Sequence, residues 1–197
     1  MNKSESRKFQ RYAVYFVPRK ETALAGFGRT WFGPDSETGS LAKNIRISMD
    51  QEQYEHAIAV PRRYGFHATL KAPFLLRTDC DLDDLLAATE DLACSSSPMA
   101  LGGLQINPIA EFLALVPVSE NRDLDKLALR CVRLLDVYRA PMCKAELKKR
   151  RAGGLSEREE KMLLKWGYPY VKKTYRFHMT LTGKLKNREV KIVPDPS

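Results

Sequence analysis

The chain has 197 residues, of which 44% are hydrophobic and 29% are charged, a composition typical of a globular protein and not of a disordered one. Lysine and arginine outnumber aspartate and glutamate by 33 to 24, for a net charge of +9, which favours anionic partners such as phosphates or nucleic acids without choosing between them. No segment is apolar for long enough to span a bilayer, and the polar start of the chain lacks the apolar core of a secretory signal. We therefore expect a cytoplasmic protein with no membrane partner.

Periodic apolar residues predict a mixed series of strands and helices along the chain. Strands are predicted over 13–17, 65–75, 100–107, 112–118, 174–185 and 189–193, and helices over 21–32, 81–94, 123–138 and 156–166. The stretch 35–61 is expected to be a loop with an irregular strand or helix, and Pro108 is expected to lie in a turn between two strands. Since the elements do not alternate in a regular βαβ order, we predict an α+β fold and one domain over residues 1–197.

The chain carries one internal repeat, formed by two segments of equal length. The segment from Tyr64 to Leu70 is YGFHATL and the segment from Tyr175 to Leu181 is YRFHMTL, so Tyr, Phe, His, Thr and Leu recur at the same offsets. Two of the three histidines of the chain occupy this frame. Such agreement is too close for chance in a chain of ordinary composition, and the repeat is therefore weighed before other signals.

Strand geometry gives the repeat a chemical meaning, because side chains alternate between the two faces of a strand. His67 and Thr69 share one face of the first segment, as do His178 and Thr180 in the second, while the apolar residues face the core. One neutral imidazole can take a proton from an attacking water and a protonated one can give a proton to a leaving oxygen. The threonine hydroxyls can donate to phosphate oxygens. These four residues are therefore predicted to catalyse hydrolysis of a phosphodiester.

The same argument selects residues that would bind the substrate. Lys71 lies on the predicted face of the first histidine and Arg176 on that of the second, so both are expected to neutralise a phosphate, the arginine in a bidentate manner. Tyr15 can reach the same cleft from the first strand. For each of the three, a solvated or packing side chain is the alternative. Neither segment supplies carboxylates or further histidines at metal-ligand spacing, so no metal and no cofactor are predicted.

Two His-x-Thr-hydrophobic motifs about a hundred residues apart are typical of the 2H phosphoesterase superfamily, which this chain resembles. The resemblance implies a two-lobed, pseudo-twofold α+β fold, with antiparallel sheets lining a central groove and motif strands near 64–75 and 174–185. It also implies that His67, Thr69, His178 and Thr180 take the catalytic positions. The longer strings RYAVYFVP, RYGFHATLKAPF, WGYPYV and YRFHMTLTGKL resemble the branch of this superfamily associated with phosphonate-utilisation operons. That resemblance implies a ribosyl or nucleotide cyclic phosphate as substrate.

The expected function is therefore that of a cyclic phosphodiesterase, a phosphoric diester hydrolase, acting as a monomer on a small phosphorylated sugar or nucleotide in phosphonate metabolism. One alternative is a 2′,3′-cyclic phosphodiesterase that processes RNA ends, which the net charge and the basic run 144–151 favour, although the sequence shows no RNA-binding module. The other alternative is a non-catalytic module that binds phosphate or nucleic acid. The sequence does not determine which histidine is the base or what the natural substrate is.

Overall fold

The computed structural model describes residues 11–33, 45–47, 50–185 and 192–194, the second and fourth of these ranges by their backbone alone. In these residues the chain forms seven strands: β1 (Arg11–Phe16), β2 (Ile45–Ile47), β3 (Ala68–Leu75), β4 (Leu104–Ile109), β5 (Phe112–Pro117), β6 (Met179–Thr180) and β7 (Ile192–Pro194). The same residues form six α-helices: α1 (Ala23–Phe32), α2 (Gln51–Arg62), α3 (Leu82–Cys94), α4 (Arg122–Leu134), α5 (Lys144–Arg151) and α6 (Glu157–Trp166). Strand β2 pairs with β7, β3 with β6, β4 with β5 and β5 with β6, each in antiparallel orientation. The predicted α+β class is confirmed.

The chain divides into two compact units, each assembled from separated stretches of sequence. Of the described residues, unit 1 contains 11–15, 69–101 and 120–177. Unit 2 contains 16–33, 45–47, 50–68, 102–119, 178–185 and 192–194. The two histidine motifs lie close to the boundaries of these stretches, so their residues are distributed between the units.

Unit 1 contains β1 beside most of β3, together with α3 to α6. Two of its helices begin with a capping box, in which the side chain of the cap and that of the third residue satisfy backbone N–H groups reciprocally: Asp81 caps α3 and Ser156 caps α6. The core of unit 1 consists of side chains that are almost fully excluded from solvent, among them Leu85, Leu92, Leu124, Leu135 and Leu163.

Unit 2 is built on β4, β5 and β6, with the first residue of β3 next to β6. Strands β4 and β5 pair in register from Leu104 opposite Pro117 to Ile109 opposite Phe112, and β2 pairs with β7. Helices α1 and α2 belong to the same unit and supply its aromatic core. This core holds the residues on which the functional argument depends.

Two elements of unit 2 differ from the sequence prediction. Residues 51–62 form α2, although the stretch 35–61 was expected to be mainly loop; Asp50 caps the helix by accepting from the Gln53 amide at 2.8 Å. Pro108 lies inside β4 and not in a turn. Strand β4 is at the edge of its sheet, and a proline without an N–H group is tolerated in an edge strand. The turn falls instead between Ile109 and Phe112.

The second motif strand is much shorter than predicted. Residues 172–174 form a 3₁₀ turn and only Met179–Thr180 forms β6, in place of a strand over 174–185. After β6 the hydroxyl of Thr182 accepts the Leu113 amide at 2.9 Å, so a side chain replaces the backbone carbonyl of a regular ladder. The predicted last strand over 189–193 is found at 192–194, and its first three residues lie outside the described part of the chain, as do 34–44 and 48–49.

Candidate functional site

The two repeat segments are backbone neighbours in unit 2. Ala68 pairs with Met179, and both side chains are fully buried. His67 directly precedes Ala68 and His178 directly precedes Met179, so each histidine is one residue from this pair. His67, His178 and Thr180 are each half-buried, and strand alternation predicts that they lie on the face opposite the buried Ala68 and Met179. The structure therefore brings the backbones of the two motifs together in unit 2.

The first histidine is oriented by the turn that ends α2. Gly65 has a positive φ of 73°, a conformation that glycine adopts without steric cost, and its carbonyl lies 2.9 Å from Nδ1 of His67. A carbonyl only accepts, so Nδ1 carries the hydrogen and donates. This bond therefore selects the tautomer in which Nε2 of the neutral ring carries no hydrogen.

The residue before this histidine is fixed by helix α1. The ring of Phe66 packs against the rings of Phe27 and Phe32, with centroid distances of 5.7 and 6.2 Å. It also lies directly over Gly28, where a Cβ atom would come within 2.3 Å of the Phe66 ring. The missing side chain of Gly28 is therefore what lets Phe66 approach the helix this closely.

The second segment is attached to the same helix. The buried indole of Trp31 donates from Nε1 to the carbonyl of Leu181 at 2.8 Å, immediately after β6. The Tyr54 hydroxyl donates to the Trp31 carbonyl at 2.5 Å, and its ring meets the indole edge-on at 5.8 Å. Burial raises the pKa of Tyr54 to about 12, which keeps the hydroxyl a donor at neutral pH. Helix α1 therefore holds the backbone of both motif segments in unit 2.

The second histidine has an aromatic neighbour. The imidazole of His178 lies against the ring of Phe112, with centroids 5.9 Å apart and planes inclined by 46°. Ala114 pairs with Thr180 and Leu115 with Met179, a register that sets Phe112 and His178 on the same face of the sheet. Sequence reasoning missed this phenylalanine, because it follows the hairpin turn and belongs to neither copy of the repeat.

Thr69 belongs to unit 1, where it follows Ala68 in β3 and is half-buried. Its backbone carbonyl accepts a hydrogen bond from the Tyr175 hydroxyl at 3.2 Å. Burial raises the pKa of Tyr175 far above its ordinary range, so this hydroxyl remains a donor throughout the physiological pH range. The tyrosine that opens the second repeat is thus a packing residue with a specific hydrogen bond.

Lys71 is also in unit 1, and only 3% of it is exposed. Its ammonium donates to the Val132 carbonyl at 3.2 Å and to the Asp136 carboxylate at 3.3 Å. Burial lowers the pKa of Lys71, an effect that Asp136 opposes. Strand parity predicts Lys71 on the face of His67, whereas the structure shows its ammonium covered by α4 and the following turn. A direct contact with substrate stays a prediction for this residue.

Asp136 joins this lysine to a second cation. Its carboxylate accepts from Arg139 through Nε at 2.7 Å and through a terminal nitrogen at 3.1 Å. Burial acts to raise the pKa of Asp136, but the hydrogen bonds and charges of Arg139 and Lys71 outweigh it and hold the pKa below its usual value. The cluster Lys71–Asp136–Arg139 is therefore an ionised group inside unit 1.

The remaining predicted substrate residues lie on the surface of unit 1. Arg176 is exposed, two residues before the second histidine, and Tyr15 is 36% exposed in β1. Their roles stay predictions. In the described ranges no three His, Cys, Asp or Glu side chains are grouped so that they could hold a metal ion. Nor is any described helix both long and apolar enough to cross a membrane.

Two curated proteins resemble the chain over most of its length. Ribose 1,5-bisphosphate phosphokinase PhnN of Janthinobacterium sp. (strain Marseille) is 35% identical over 189 residues, which are 95% of this chain and 42% of that protein. The protein of the same name from Laribacter hongkongensis (strain HLHK9) is 34% identical over 183 residues, 91% of this chain and 42% of its own length. The chain thus spans about two fifths of the length of these relatives. No solved structure matches it significantly.

These names correct the expected activity. A phosphokinase transfers a phosphoryl group, whereas the sequence was interpreted as that of a phosphodiester hydrolase. The prediction of a cyclic phosphodiesterase is therefore wrong, and the RNA-end hydrolase falls with it. Imidazoles and hydroxyls that suit hydrolysis suit phosphate binding equally well, which is why the residues alone did not separate the two.

A protein-family model matches residues 69–194, close to two thirds of the sequence. The matched range includes Thr69, His178 and Thr180, while His67 lies two residues before it. The chain therefore belongs to the family described as "Protein of unknown function (DUF1045)".

Proposed function

We propose that this chain binds a phosphorylated ribose for phosphoryl transfer in phosphonate metabolism. The observation that carries the proposal is the pairing of Ala68 with Met179, which brings the two histidine motifs side by side. The names of the two relatives support ribose 1,5-bisphosphate as the ligand. The resemblance of the longer strings to a phosphonate-utilisation branch supports the metabolic setting.

The chemistry of the face supports a phosphate as the bound group. His67 uses Nδ1 for the Gly65 carbonyl, so Nε2 is the nitrogen that donates to a phosphate oxygen when the ring is protonated. Thr180 and His178, on either side of the Met179 that pairs with Ala68, are proposed to add a hydroxyl and a second imidazole. Thr69 lies in unit 1, and its role stays a prediction. The net charge of +9 attracts anions toward such a site.

We propose that the phosphoryl donor binds elsewhere in a protein of the relatives' length. The 197-residue sequence contains no Gly-x₄-Gly-Lys-Ser/Thr pattern, the usual loop that cradles the phosphates of a nucleoside triphosphate. More than half of each relative lies outside its match to this chain. The chain would then contribute the sugar phosphate site, and the remaining part the nucleotide site.

We also infer that the scaffold is that of the 2H phosphoesterases, two-lobed and pseudo-twofold, used here to bind a phosphate. The local relation of the motifs supports this: a twofold axis through the pair Ala68 and Met179 exchanges the two segments. In each segment the histidine also follows a phenylalanine: Phe66 packs against other aromatic rings, and Phe177 is buried.

Calorimetric titration tests the proposal. Ribose 1,5-bisphosphate and ribose 5-phosphate should bind, and ribose should not. His67→Gln and His178→Gln should each weaken binding about 10- to 100-fold, because each removes a charge-assisted hydrogen bond, which contributes about 1.5–3 kcal/mol. His56→Gln is the matched control, since His56 is exposed on α2 and outside the repeat.

Retained affinity in both motif variants would refute the proposed site. A transfer assay with the chain, a nucleoside triphosphate and ribose 1,5-bisphosphate tests the division of labour, and we expect no transfer by the chain alone. Transfer would place the phosphoryl donor site within these residues and would overturn that part of the proposal.

A further inference from the structure

The hairpin between β4 and β5 is strained at its tip. Ile109 pairs with Phe112 across the turn, and the turn residue Ala110 has a positive φ of 51°. An L-residue other than glycine adopts this conformation at a cost, and such strain persists only where the surrounding structure holds it in place. Glu111, the next residue, forms an ion pair with Lys184 at 2.6 Å, and both side chains are exposed. The tip therefore contacts the chain that follows the second motif.

The residues on either side of Phe112 are bonded to the chain that follows β6. The carbonyl of Glu111 accepts the Leu185 amide at 2.7 Å. The amide of Leu113 donates to the Thr182 hydroxyl at 2.9 Å, and the Leu113 carbonyl accepts the amide of the residue before that threonine at 2.8 Å. Phe112 is thus anchored through both of its neighbours, and its ring is directed at the second motif.

We propose that Phe112 is a positioning residue that restricts the imidazole of His178 to the orientation in which it contacts phosphate. The proposal rests on the proposed function for the role of the imidazole, and on the ring contact at 5.9 Å for the geometry. A histidine side chain has two rotatable bonds, and a ring packed on one side excludes the rotamers that would overlap it.

The first histidine has a positioning contact of its own. His67 donates from Nδ1 to a backbone carbonyl, which fixes both the ring and its tautomer. The Phe112 ring restricts the imidazole of His178 sterically, so the β4–β5 hairpin supports the second motif.

Phe112→Leu removes the aromatic ring and Phe112→Tyr retains it. Ile109→Ala is the control for the hairpin, since Ile109 is the backbone partner of Phe112 and is half-buried. Two measurements are made on each: the side-chain resonances of the histidines by NMR and the affinity for ribose 5-phosphate. Only three histidines are present, so His→Gln variants assign the resonances directly.

In Phe112→Leu we expect the His178 ring protons to lose the ring-current shift, while those of His67 and His56 stay unchanged. The affinity should fall about two- to tenfold, the cost of ordering one side chain on binding. Phe112→Tyr and Ile109→Ala should retain both the shift and the affinity. Unchanged His178 resonances and affinity in Phe112→Leu would overturn the positioning role.

The outcome is separable from that of the proposed function. If His178→Gln abolishes binding but Phe112→Leu alters neither measurement, the phosphate site stands and the positioning role is refuted. If His178→Gln leaves binding intact, the proposed site fails, and the positioning role fails with it, whatever the NMR shift shows about ring contact.

Discussion

Two glycines of helix α1 provide a sharp test of how the first motif is held. Gly28 lies under Phe66. A Cβ at this position would come within 2.3 Å of Cδ1, 2.5 Å of Cγ and 2.8 Å of Cβ of the phenylalanine side chain. Gly26 lies two residues earlier in the same helix. A Cβ there would meet only a terminal nitrogen of Arg29, at an ordinary 3.8 Å. The pair therefore differs mainly in the space available to a methyl group.

Replacing either glycine with alanine gains about 1 kcal/mol of helix propensity. For Gly26→Ala nothing opposes that gain, so the free energy of unfolding should rise by up to about 1 kcal/mol. For Gly28→Ala the overlap with Phe66 must be relieved by moving the ring, and such overpacking costs about 1–3 kcal/mol. The free energy of unfolding of Gly28→Ala should therefore lie about 1–3 kcal/mol below that of Gly26→Ala.

Urea denaturation of both variants measures this difference directly, because the propensity contribution is common to both. Calorimetric titration with ribose 5-phosphate adds a functional readout: displacement of Phe66 moves the neighbouring His67, so Gly28→Ala should bind more weakly than Gly26→Ala. Equal stabilities within about 0.5 kcal/mol, the usual limit of additivity, would show that α1 does not constrain this phenylalanine as described.

Three further predictions concern buried polar groups. Asp136→Ala should lower the free energy of unfolding by about 3–5 kcal/mol, since it leaves the buried Lys71 ammonium without its carboxylate. Lys71→Met should change the free energy of unfolding by less than about 1 kcal/mol. Equal losses for the two variants in urea denaturation would contradict this. Although burial opposes its ionisation, Arg139 and Lys71 hold the pKa of Asp136 below its ordinary 3.8, so its contribution to stability is present above that pH and is lost as the pH falls through the lower folded value. Asp136→Asn should accordingly flatten the acid side of a plot of urea midpoint against pH, and an unaltered slope would assign the effect to other carboxylates. Trp31→Phe should cost about 1–3 kcal/mol because it leaves a buried carbonyl without its donor, and a thermal melt matching the parent would be evidence against that bond.

The pattern of apolar residues was sufficient to predict the α+β class and most of the helices. Acidic and hydroxyl caps marked the starts of α3 and α6, and the leucine spacing of α4 marked its buried face. Helix α2 was missed, although Tyr54, Ala57, Ile58 and Pro61 are buried at helical spacing. The polar and charged residues that lie between these positions, and the proline in the last turn, concealed that helical period.

The candidate site was predictable only in part, because its residues are local in sequence while its supports are distant. The repeat predicts roles for both histidines and their threonines, which stay predictions, and the observed burial of Ala68 and Met179 agrees with the predicted parity of the apolar residues. The supports Gly28, Trp31 and Phe112 are contributed by other elements of unit 2, and no local pattern marks them. The burial of Lys71 likewise depends on residues more than sixty positions later in the chain.

The two motifs meet through one backbone pair, at the very start of β3 and within a β6 of two residues. Sheet faces exchange with every residue of slippage, so deleting a single residue on either side of that pair would turn an imidazole inward, whatever side chains were kept. Longer additions at the exposed turns that connect the helices of unit 1 would leave this alignment untouched. Evolution of such a site should therefore tolerate changes in loop length far better than a shift of one position next to His67 or His178.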